Sequence, residues 1–326
     1  MNNFIINDKD IIEVYKLDGN LREYNHCLNY FKFKKLILSK NINQISNKLN
    51  LDYSTIYRWD KYIRIPYGIK TINFLKEKNL IPFKPDEKIA RIVGFLHGDG
   101  YIFNSLTIFG FVSSDLNMLN KIKEDIDYIF KLKGEIEKFR NAGEEVIIKG
   151  KKTKATKPTY HLEYGPKAIC HLLFLLGVPK GKKVNQNYQI PDWIKNGSLK
   201  TKKAFLQGLF DAELSKPRIS SFGSHKQNVC SLRMELVKHI KYENSLKKYL
   251  LSIKNILSEF NINSCVKYTK RYDIDRVSYS LIITNNLKNI KRFIESIGFY
   301  YSNERKEQSN YVLNIINKKL GIQDGN

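Results

Sequence analysis

The sequence has few cysteines, and they lie far apart. Its four cysteines include no pair with the short spacing of zinc ligands. This excludes a zinc finger and a dense disulfide framework. We therefore expect free, mostly buried thiols in the reducing cytoplasm. These cysteines are Cys27, Cys170, Cys230 and Cys265.

Long apolar runs are also missing. No stretch approaches the roughly 20 apolar residues that a membrane span needs. The first residues show no basic region followed by an apolar run, so no secretory signal is visible. The sequence therefore predicts a cytoplasmic protein with no membrane partner.

Acidic residues are scarce relative to basic ones. The 326 residues include 56 Lys and Arg against 32 Asp and Glu, a formal net charge of +24. This imbalance indicates a polyanionic partner, most simply nucleic acid. Hydrophobic residues make up 42% of the chain, which is enough for a core and excludes global disorder. The length allows two or three domains.

Two short stretches, residues 92–100 and 206–214, are alike. Each is an apolar run in which small residues recur four positions apart, and an acidic residue follows directly. In a helix, residues four apart share a face, and a face of small residues lets two helix backbones approach closely. The small residues are Gly94 and Gly98 in the first stretch, and Gly208 and Ala212 in the second.

If these two helices pack together, Asp99 and Glu213 meet at their C-terminal ends. A helix C-terminus disfavours a carboxylate, and two neighbouring carboxylates disfavour each other. A cation is therefore expected beside them, and a hard divalent ion such as Mg²⁺ prefers oxygen ligands. Paired acids that hold such ions are typical of sites that hydrolyse phosphodiesters.

Both stretches resemble the LAGLIDADG motif of homing endonucleases. The second, FLQGLFDAE at 205–213, is the more specific, and it departs from the family at Leu214, where Gly is common. The resemblance implies a site-specific endonuclease that makes a double-strand cut in a long, partly asymmetric duplex DNA. It also implies Mg²⁺ or Mn²⁺ as cofactor and a monomer that needs no protein partner.

The resemblance assigns roles to individual residues. Asp99 and Glu213 would hold the metal ions, helped by the backbone carbonyls of Gly98 and Ala212. Lys216, three residues after Glu213, matches a lysine that orients the attacking water.

The resemblance covers about residues 86–300 and implies an α+β fold. Two pseudo-symmetric αββαββα half-units would each form a curved antiparallel sheet. The expected divisions are an all-α N-terminal domain at 1–84, a first half-domain at 85–197, a second half-domain at 198–302 and a helical tail at 303–326.

The segment QISNKLNLDYSTIYRW, within residues 41–63, resembles a helix-turn-helix DNA-binding module. Asn50 lies at the turn, where Asn tolerates the left-handed conformation that is needed. The second helix, about 53–62, would enter the major groove. A small helical subdomain without DNA is the alternative. The residues expected to face DNA are Tyr53, Ser54, Thr55, Tyr57, Arg58 and Lys61.

The open faces of the two sheets are expected to be basic and aromatic, and to form a saddle for duplex DNA. Strand alternation puts every second residue on that face, which selects Arg233 in one strand and Lys267 with Arg271 in another. The basic segment KGKKTKATKP at 149–158 is expected to be an exposed loop.

Three alternatives remain open. A catalytically inactive relative, either an RNA maturase or a transcription regulator, would bind nucleic acid only, although both motif acids are present. An intein endonuclease would need a Cys or Ser at position 1 and a His before the final Asn, which this sequence lacks. An unrelated basic protein would use both motifs as core helices and keep Asp99 apart from Glu213.

Overall fold

The computed structural model describes residues 4–148, 151–220, 228–273 and 275–321. The fold is α+β, as the sequence predicts. Two compact units are present, one of residues 4–84 with 166–175, the other of residues 85–165 with 176–326. In the described ranges, no helix is both long and apolar enough to cross a membrane.

The helices, in chain order, are α1 (Asp8–Leu17), α2 (Leu21–Leu36), α3 (Ile42–Leu49), α4 (Tyr53–Asp60), α5 (Tyr67–Glu77), α6 (Glu87–His97), α7 (Leu116–Phe130), α8 (Lys167–Leu175), α9 (Asp192–Lys195), α10 (Leu199–Glu213), α11 (Glu243–Glu259), α12 (Leu287–Ser296) and α13 (Asn303–Lys319). The strands are β1 (Tyr101–Ile102), β2 (Phe109–Ser113), β3 (Glu135–Arg140), β4 (Glu145–Ile148), β5 (Lys151–Lys154), β6 (Thr159–Tyr164), β7 (Leu232–His239), β8 (Ser264–Asp273) and β9 (Arg276–Ile283).

The N-terminal unit consists of α1 to α5 together with α8, which packs against α1 and α5. In this unit α3 and α4 are joined by a tight turn. Asn50 ends α3 in the left-handed conformation with φ 50°, and the hydroxyl of Ser46 donates to the carbonyl of Leu51 at 2.6 Å. Trp59 anchors α4 by packing edge-on against the ring of Phe33. The turn chemistry of Asn and Ser therefore fixes the angle between the two helices.

Among the described residues, the second unit contains two larger antiparallel sheets and the small two-stranded sheet β4-β5. The first of the larger sheets has the strand order β1-β2-β6-β3, and the second has the order β7-β9-β8. Each sheet buries one face. In the first sheet Phe111 lies opposite Leu162, and in the second Met234 lies opposite Leu281, and all four are fully buried. The alternate residues form the open face of each sheet.

One loop prediction was wrong in part. The basic segment 149–158 is not wholly a loop, because Lys151–Lys154 pairs antiparallel with Glu145–Ile148, while residues 149–150 lie outside the described ranges. Polar strands of this kind lack the alternating apolar face that marks a strand in a sequence.

The helix α13 follows the second sheet and packs on α12 through the buried Val312 and Ile316. Its first turn places Arg305 near the ends of the motif helices, where the guanidinium donates to the carbonyl of Leu214.

Candidate active site at the crossing of the two motif helices

The two motif helices, α6 and α10, pack with their backbones in contact. A Cβ on Gly94 would lie 2.0 Å from the carbonyl oxygen of Phe205, and one on Gly208 would lie 1.9 Å from that of Arg91. No side chain fits at either position, so glycine is required there. The small-residue face that the sequence predicts is therefore the actual contact.

This crossing brings the two motif acids together. A Cβ on Gly98, the residue before Asp99, would lie 3.0 Å from Cγ of Glu213. The Glu213 carboxyl is half-buried, and burial together with the charge of Asp99 raises its pKa to about 7. Asp99 keeps a solvent-exposed edge, although protein atoms surround most of it, and this burial raises its pKa as well. The third alternative above, with the acids apart, is thus excluded.

Lys183, from the connector between the two halves, occupies the centre of this site. Its ammonium donates to the carbonyl of Gly98 and, at 2.5 Å, to the carbonyl of Gly100. Burial lowers the pKa of Lys183 to about 8, while the charges of Glu213 and Asp99 act to raise it. The sequence analysis missed this residue, since nothing in the connector marks one of its several lysines as internal.

Arg305 provides a second cation. Its guanidinium donates to the carbonyl of Leu214, and its charge partly opposes the rise that burial causes in the pKa values of Asp99 and Glu213. Lys183 contacts the residue after Asp99, and Arg305 contacts the residue after Glu213. Each cation therefore binds a backbone carbonyl directly after one of the two acids.

The segment that carries Lys183 is fixed by buried contacts to the second half. The ammonium of Lys238, on the buried face of β7, donates to the carbonyl of Gln186 at 2.8 Å and lies 3.8 Å from the ring centroid of Tyr188. The side-chain amide of Gln189 donates to the carbonyl of Ser245 at 3.0 Å. These contacts position the connector, and with it Lys183.

Lys216, assigned by the resemblance to orient the attacking water, binds a glutamate of α13. Its side chain is about half-exposed and forms an ion pair with Glu304. Within the described residues, no hydrogen bond or ion pair joins Lys216 to Asp99 or Glu213. Its assigned role stays a prediction, and the cations whose charges act on the two acids are Lys183 and Arg305, which come from distant parts of the chain.

The oxygen atoms at this site fit a hard divalent cation. Two carboxylates of raised pKa converge beside the backbone carbonyl of Gly98, and carboxylate and carbonyl oxygens are the ligands that Mg²⁺ and Mn²⁺ prefer. Ala212 lies against Gly98 at the same crossing. No group of three or more His, Cys, Asp or Glu side chains that could hold a metal ion occurs in the described ranges. Any ion here would thus depend on the two acids, backbone oxygens and solvent.

A wide groove opens beside Glu213 onto the second sheet. Its volume is about 840 Å³, and its charged lining residues are Glu213, Glu235, Arg218, Arg233 and Arg305. Arg233 and Lys267 lie on the open face of the sheet and are exposed, as the alternation predicts. Three of these lining residues are cationic, so the groove suits a polyanion.

Arg271 does not continue the alternation of Lys267. A register shift between Tyr268 and Lys270 puts Lys270 opposite Ser278 and Arg271 opposite Val277. One extra residue in a strand reverses the faces of those that follow. The alternation counted from Lys267 is thus interrupted before Arg271, whose side chain lies outside what the structure describes, and its contact with DNA stays a prediction.

The residues expected to contact DNA from the N-terminal unit lie together on α4 and its end. The rings of Tyr53 and Tyr57 stack at 6.3 Å between centroids, and both are exposed. Ser54, Arg58 and Lys61 are exposed, and Thr55 is half-buried. These side chains form one polar and aromatic helix face.

Comparison with known families finds one match. Residues 200–298 match the family model of the LAGLIDADG-like domain. The resemblance drawn from the two motifs is thereby confirmed, and the match lies on the second half.

Several curated proteins share a large part of this chain. The DNA-directed RNA polymerase subunit Rpo1N of Methanocaldococcus jannaschii is 30% identical over 290 residues, which are 86% of this chain and 21% of that protein. The tRNA-splicing ligase RtcB of the same organism is 33% identical over 80% of this chain and 26% of its own length. The Replication factor C small subunit, also of that organism, is 32% identical over 73% of this chain and 12% of its own length. The chain thus spans 12–26% of these relatives.

Two solved structures are similar at low identity. The homing endonuclease I-DmoI in complex with DNA and Mn is 14% identical, with a TM-score of 0.40 over 65% of this chain and 96% of that one. Full-length DUF199/WhiA from Thermatoga maritima is 16% identical, with a TM-score of 0.41 over 78% of this chain and 67% of that one.

Proposed function

We propose that this chain, which carries a LAGLIDADG-like domain at residues 200–298, is a metal-dependent, site-specific endonuclease of duplex DNA. The observation that carries the proposal is the meeting of Asp99 and Glu213 at the glycine-packed crossing of α6 and α10. Glu213 lines a groove that also contains three arginines, and the chain has a large positive charge. Paired acids beside a cationic groove suit phosphodiester hydrolysis.

Each group at the site has a distinct role in this proposal. Asp99 and Glu213, with the carbonyls of Gly98 and Ala212, would hold Mg²⁺ or Mn²⁺. When bound, such an ion supplies Lewis-acid activation of water and of the scissile phosphate. Lys183, with its pKa lowered to about 8, exchanges a proton near neutral pH and so would orient the attacking water.

The two strands are not treated alike in this arrangement. Arg305 stays protonated at any working pH, so it would stabilise charge on a phosphate rather than exchange a proton. Lys183 can do both. Because one half supplies a lysine and the other an arginine, we expect the two strands of the target to be cut at unequal rates.

The curated relatives support a self-contained activity. Their names describe an RNA polymerase subunit, an RNA ligase and a replication factor, and the shared segment is a minor part of each. A segment common to proteins of such different activity does not carry those activities. We propose that it is a portable unit with its own activity, as expected of homing endonucleases.

The N-terminal unit would add a second DNA contact. The turn at Asn50 and the exposed face of α4 have the features of a helix-turn-helix, in which the second helix enters the major groove. This contact would lengthen the target beyond what the two sheets read. The side chains proposed to face DNA here are Tyr53, Ser54, Thr55, Tyr57, Arg58 and Lys61, and those in the sheets are Arg233 and Lys267.

The test is selection of cleaved sites from a random duplex library with Mg²⁺. The expected result is one enriched long site that the wild type cuts and Asp99→Ala does not. The matched control is Asp192→Ala, which removes an exposed carboxylate on α9 and should cut normally. If wild type and Asp99→Ala cut equally, or if selective binding occurs without any cutting, the endonuclease proposal fails, and in the second case a binding protein remains.

A further inference from the structure

The open face of the first sheet carries several glutamates beside aromatic side chains. This is unexpected in a chain with a large positive net charge. On β3 and β6 the residues that alternate with the buried ones are Glu135, Glu137, His161 and Glu163, and beyond a register shift the half-buried Arg140 lies opposite Thr159 at the end of the same face. All three glutamates are exposed, and the pairing places Glu135 opposite Glu163 and Glu137 opposite His161. This face therefore presents a compact group of carboxylates.

Two of these carboxylates are held by hydrogen bonds. Tyr101 donates its hydroxyl to Glu163, and a carboxylate oxygen of Glu137 lies 3.1 Å from Nε2 of His161. Glu137 still exposes 68% of its side chain. Its carboxylate is thus oriented and accessible at once, which is the condition for reading a ligand by hydrogen bonds.

The second sheet presents the opposite charge. On its open face Arg233, Lys267 and Arg276 are exposed, and Glu235 is the acidic residue among them. The hydroxyl of Ser278 donates to Glu235 at 2.5 Å. The open faces of the two sheets therefore carry contrasting sets of groups, so they should read different half-sites.

A carboxylate on a DNA-reading face has a narrow choice of partners. It only accepts hydrogen bonds, and guanine and thymine offer acceptors at their major-groove edges, which repel it. Adenine offers an amino group but also the acceptor N7 beside it. Cytosine offers its N4 amino group with no acceptor next to it, so a carboxylate favours cytosine.

From this contrast we propose that Glu135 and Glu137 are specificity-determining residues that select cytosine in the half-site facing the first sheet. The proposal rests on the proposed function only in that the sheet faces duplex DNA. Glu135 and Glu137 are two residues apart on one strand, hence roughly 6.6 Å apart. That distance matches about two base-pair steps of roughly 3.4 Å each, so the two cytosines should lie about two positions apart.

The test is a binding selection with the full chain and a randomised duplex, without divalent metal, so that nothing is cut. The wild type should enrich cytosine at two positions about two base pairs apart. Glu137→Gln should change the preference at one of them from cytosine to adenine, by roughly tenfold in relative affinity, because a Gln amide pairs with adenine. Glu135→Gln should change the other position in the same way.

The control is Glu124→Gln, which removes an exposed carboxylate on α7, away from the sheet face; its profile should equal that of the wild type. Thermal unfolding of each variant verifies that these exposed substitutions leave the fold intact. Selective binding without a cytosine preference, or a profile unmoved by Glu137→Gln, overturns the inference alone. Absence of any selective duplex binding overturns the proposed function and the inference with it.

Discussion

The ammonium of Lys183 lies 2.5 Å from the carbonyl oxygen of Gly100 and donates to it. A lysine that the connector supplies is therefore bound to the backbone on both sides of Asp99, since it also donates to Gly98. Burying an ammonium costs free energy, and the two neighbouring carboxylates offset this cost only in part, because the pKa of Lys183 is still lowered to about 8. A buried lysine of lowered pKa is a frequent mark of a catalytic site.

Replacing Lys183 by Met should abolish most cleavage while it preserves binding. Met keeps much of the aliphatic stem but removes the group that exchanges protons, and such groups contribute about 100-fold or more to rate. Lys182→Met removes the exposed lysine one residue earlier and is the matched control. Single-turnover cleavage and duplex affinity, measured for both variants, separate the two effects. Equal loss in both variants would show that charge alone matters.

Replacing Lys216 by Ala should change the cleavage rate by less than about threefold. Its ion pair with Glu304 is at the surface, and such pairs contribute little to stability or geometry. The family resemblance makes Lys216 the catalytic lysine and therefore predicts a large loss of cleavage for this variant. A loss of cleavage similar to that of Lys183→Met would restore Lys216 to the site and contradict the geometry.

The meeting of the two acids could be predicted because it depends on a local pattern. Gly94 and Gly208 mark their helix faces by spacing alone, and each acid follows its helix directly. Lys183 and Arg305 could not be predicted in this way. They contact carbonyl groups 85 and 91 residues away in sequence, and only the three-dimensional course of the connector and of α13 brings them there.

Strand faces show the same limit. Alternation correctly assigned Arg233 and Lys267 to an open face, because their strands are regular there. Alternation cannot be counted through to Arg271, since the shift between Tyr268 and Lys270 adds one residue that no sequence pattern reveals. The acidic face around Glu137 also went unnoticed, because an exposed glutamate resembles any solvated residue until its neighbours are known.

The active-site carboxylates should destabilise the folded protein at neutral pH when no metal is bound. The pKa of Glu213 rises from 4.5 to about 7 on folding, so the folded state binds this proton more tightly than the unfolded state. Its contribution to stability is therefore complete below pH 4.5 and is lost as pH rises through 7.

Glu213→Gln should consequently raise the free energy of unfolding at pH 8 in a chelating buffer by about 1–3 kcal/mol. At pH 4 the same substitution should have little effect, because the wild-type carboxyl is then protonated in both states. Urea denaturation at the two pH values provides the measurement. If Glu213→Gln is less stable than the wild type at pH 8, the ionised Glu213 carboxylate does not destabilise the folded state, which contradicts this prediction.

Gly208→Ala should destabilise the second unit strongly. The new Cβ would lie 1.9 Å from the carbonyl oxygen of Arg91, and a backbone atom cannot move aside as a flexible side chain can. Forced overpacking typically costs about 1–3 kcal/mol or more. Gly165→Ala is the control, because a Cβ there meets nothing within 4 Å. Thermal unfolding should show a large loss for the first variant and almost none for the second.

Arg58→Ala tests whether the exposed face of α4 contacts DNA. Arg58 is exposed between the stacked tyrosines and the end of the helix, so its loss should not affect folding. If it binds a phosphate, affinity should fall for every duplex sequence, and the slope of log affinity against log salt should decrease by about 1. If it reads a base, the loss should instead be confined to one position of the target. Lys9→Ala removes an exposed charge from α1 of the same unit and should lower affinity far less. Identical behaviour of the two variants would mean that the N-terminal unit contributes only its overall charge, and that the turn at Asn50 serves packing and not recognition.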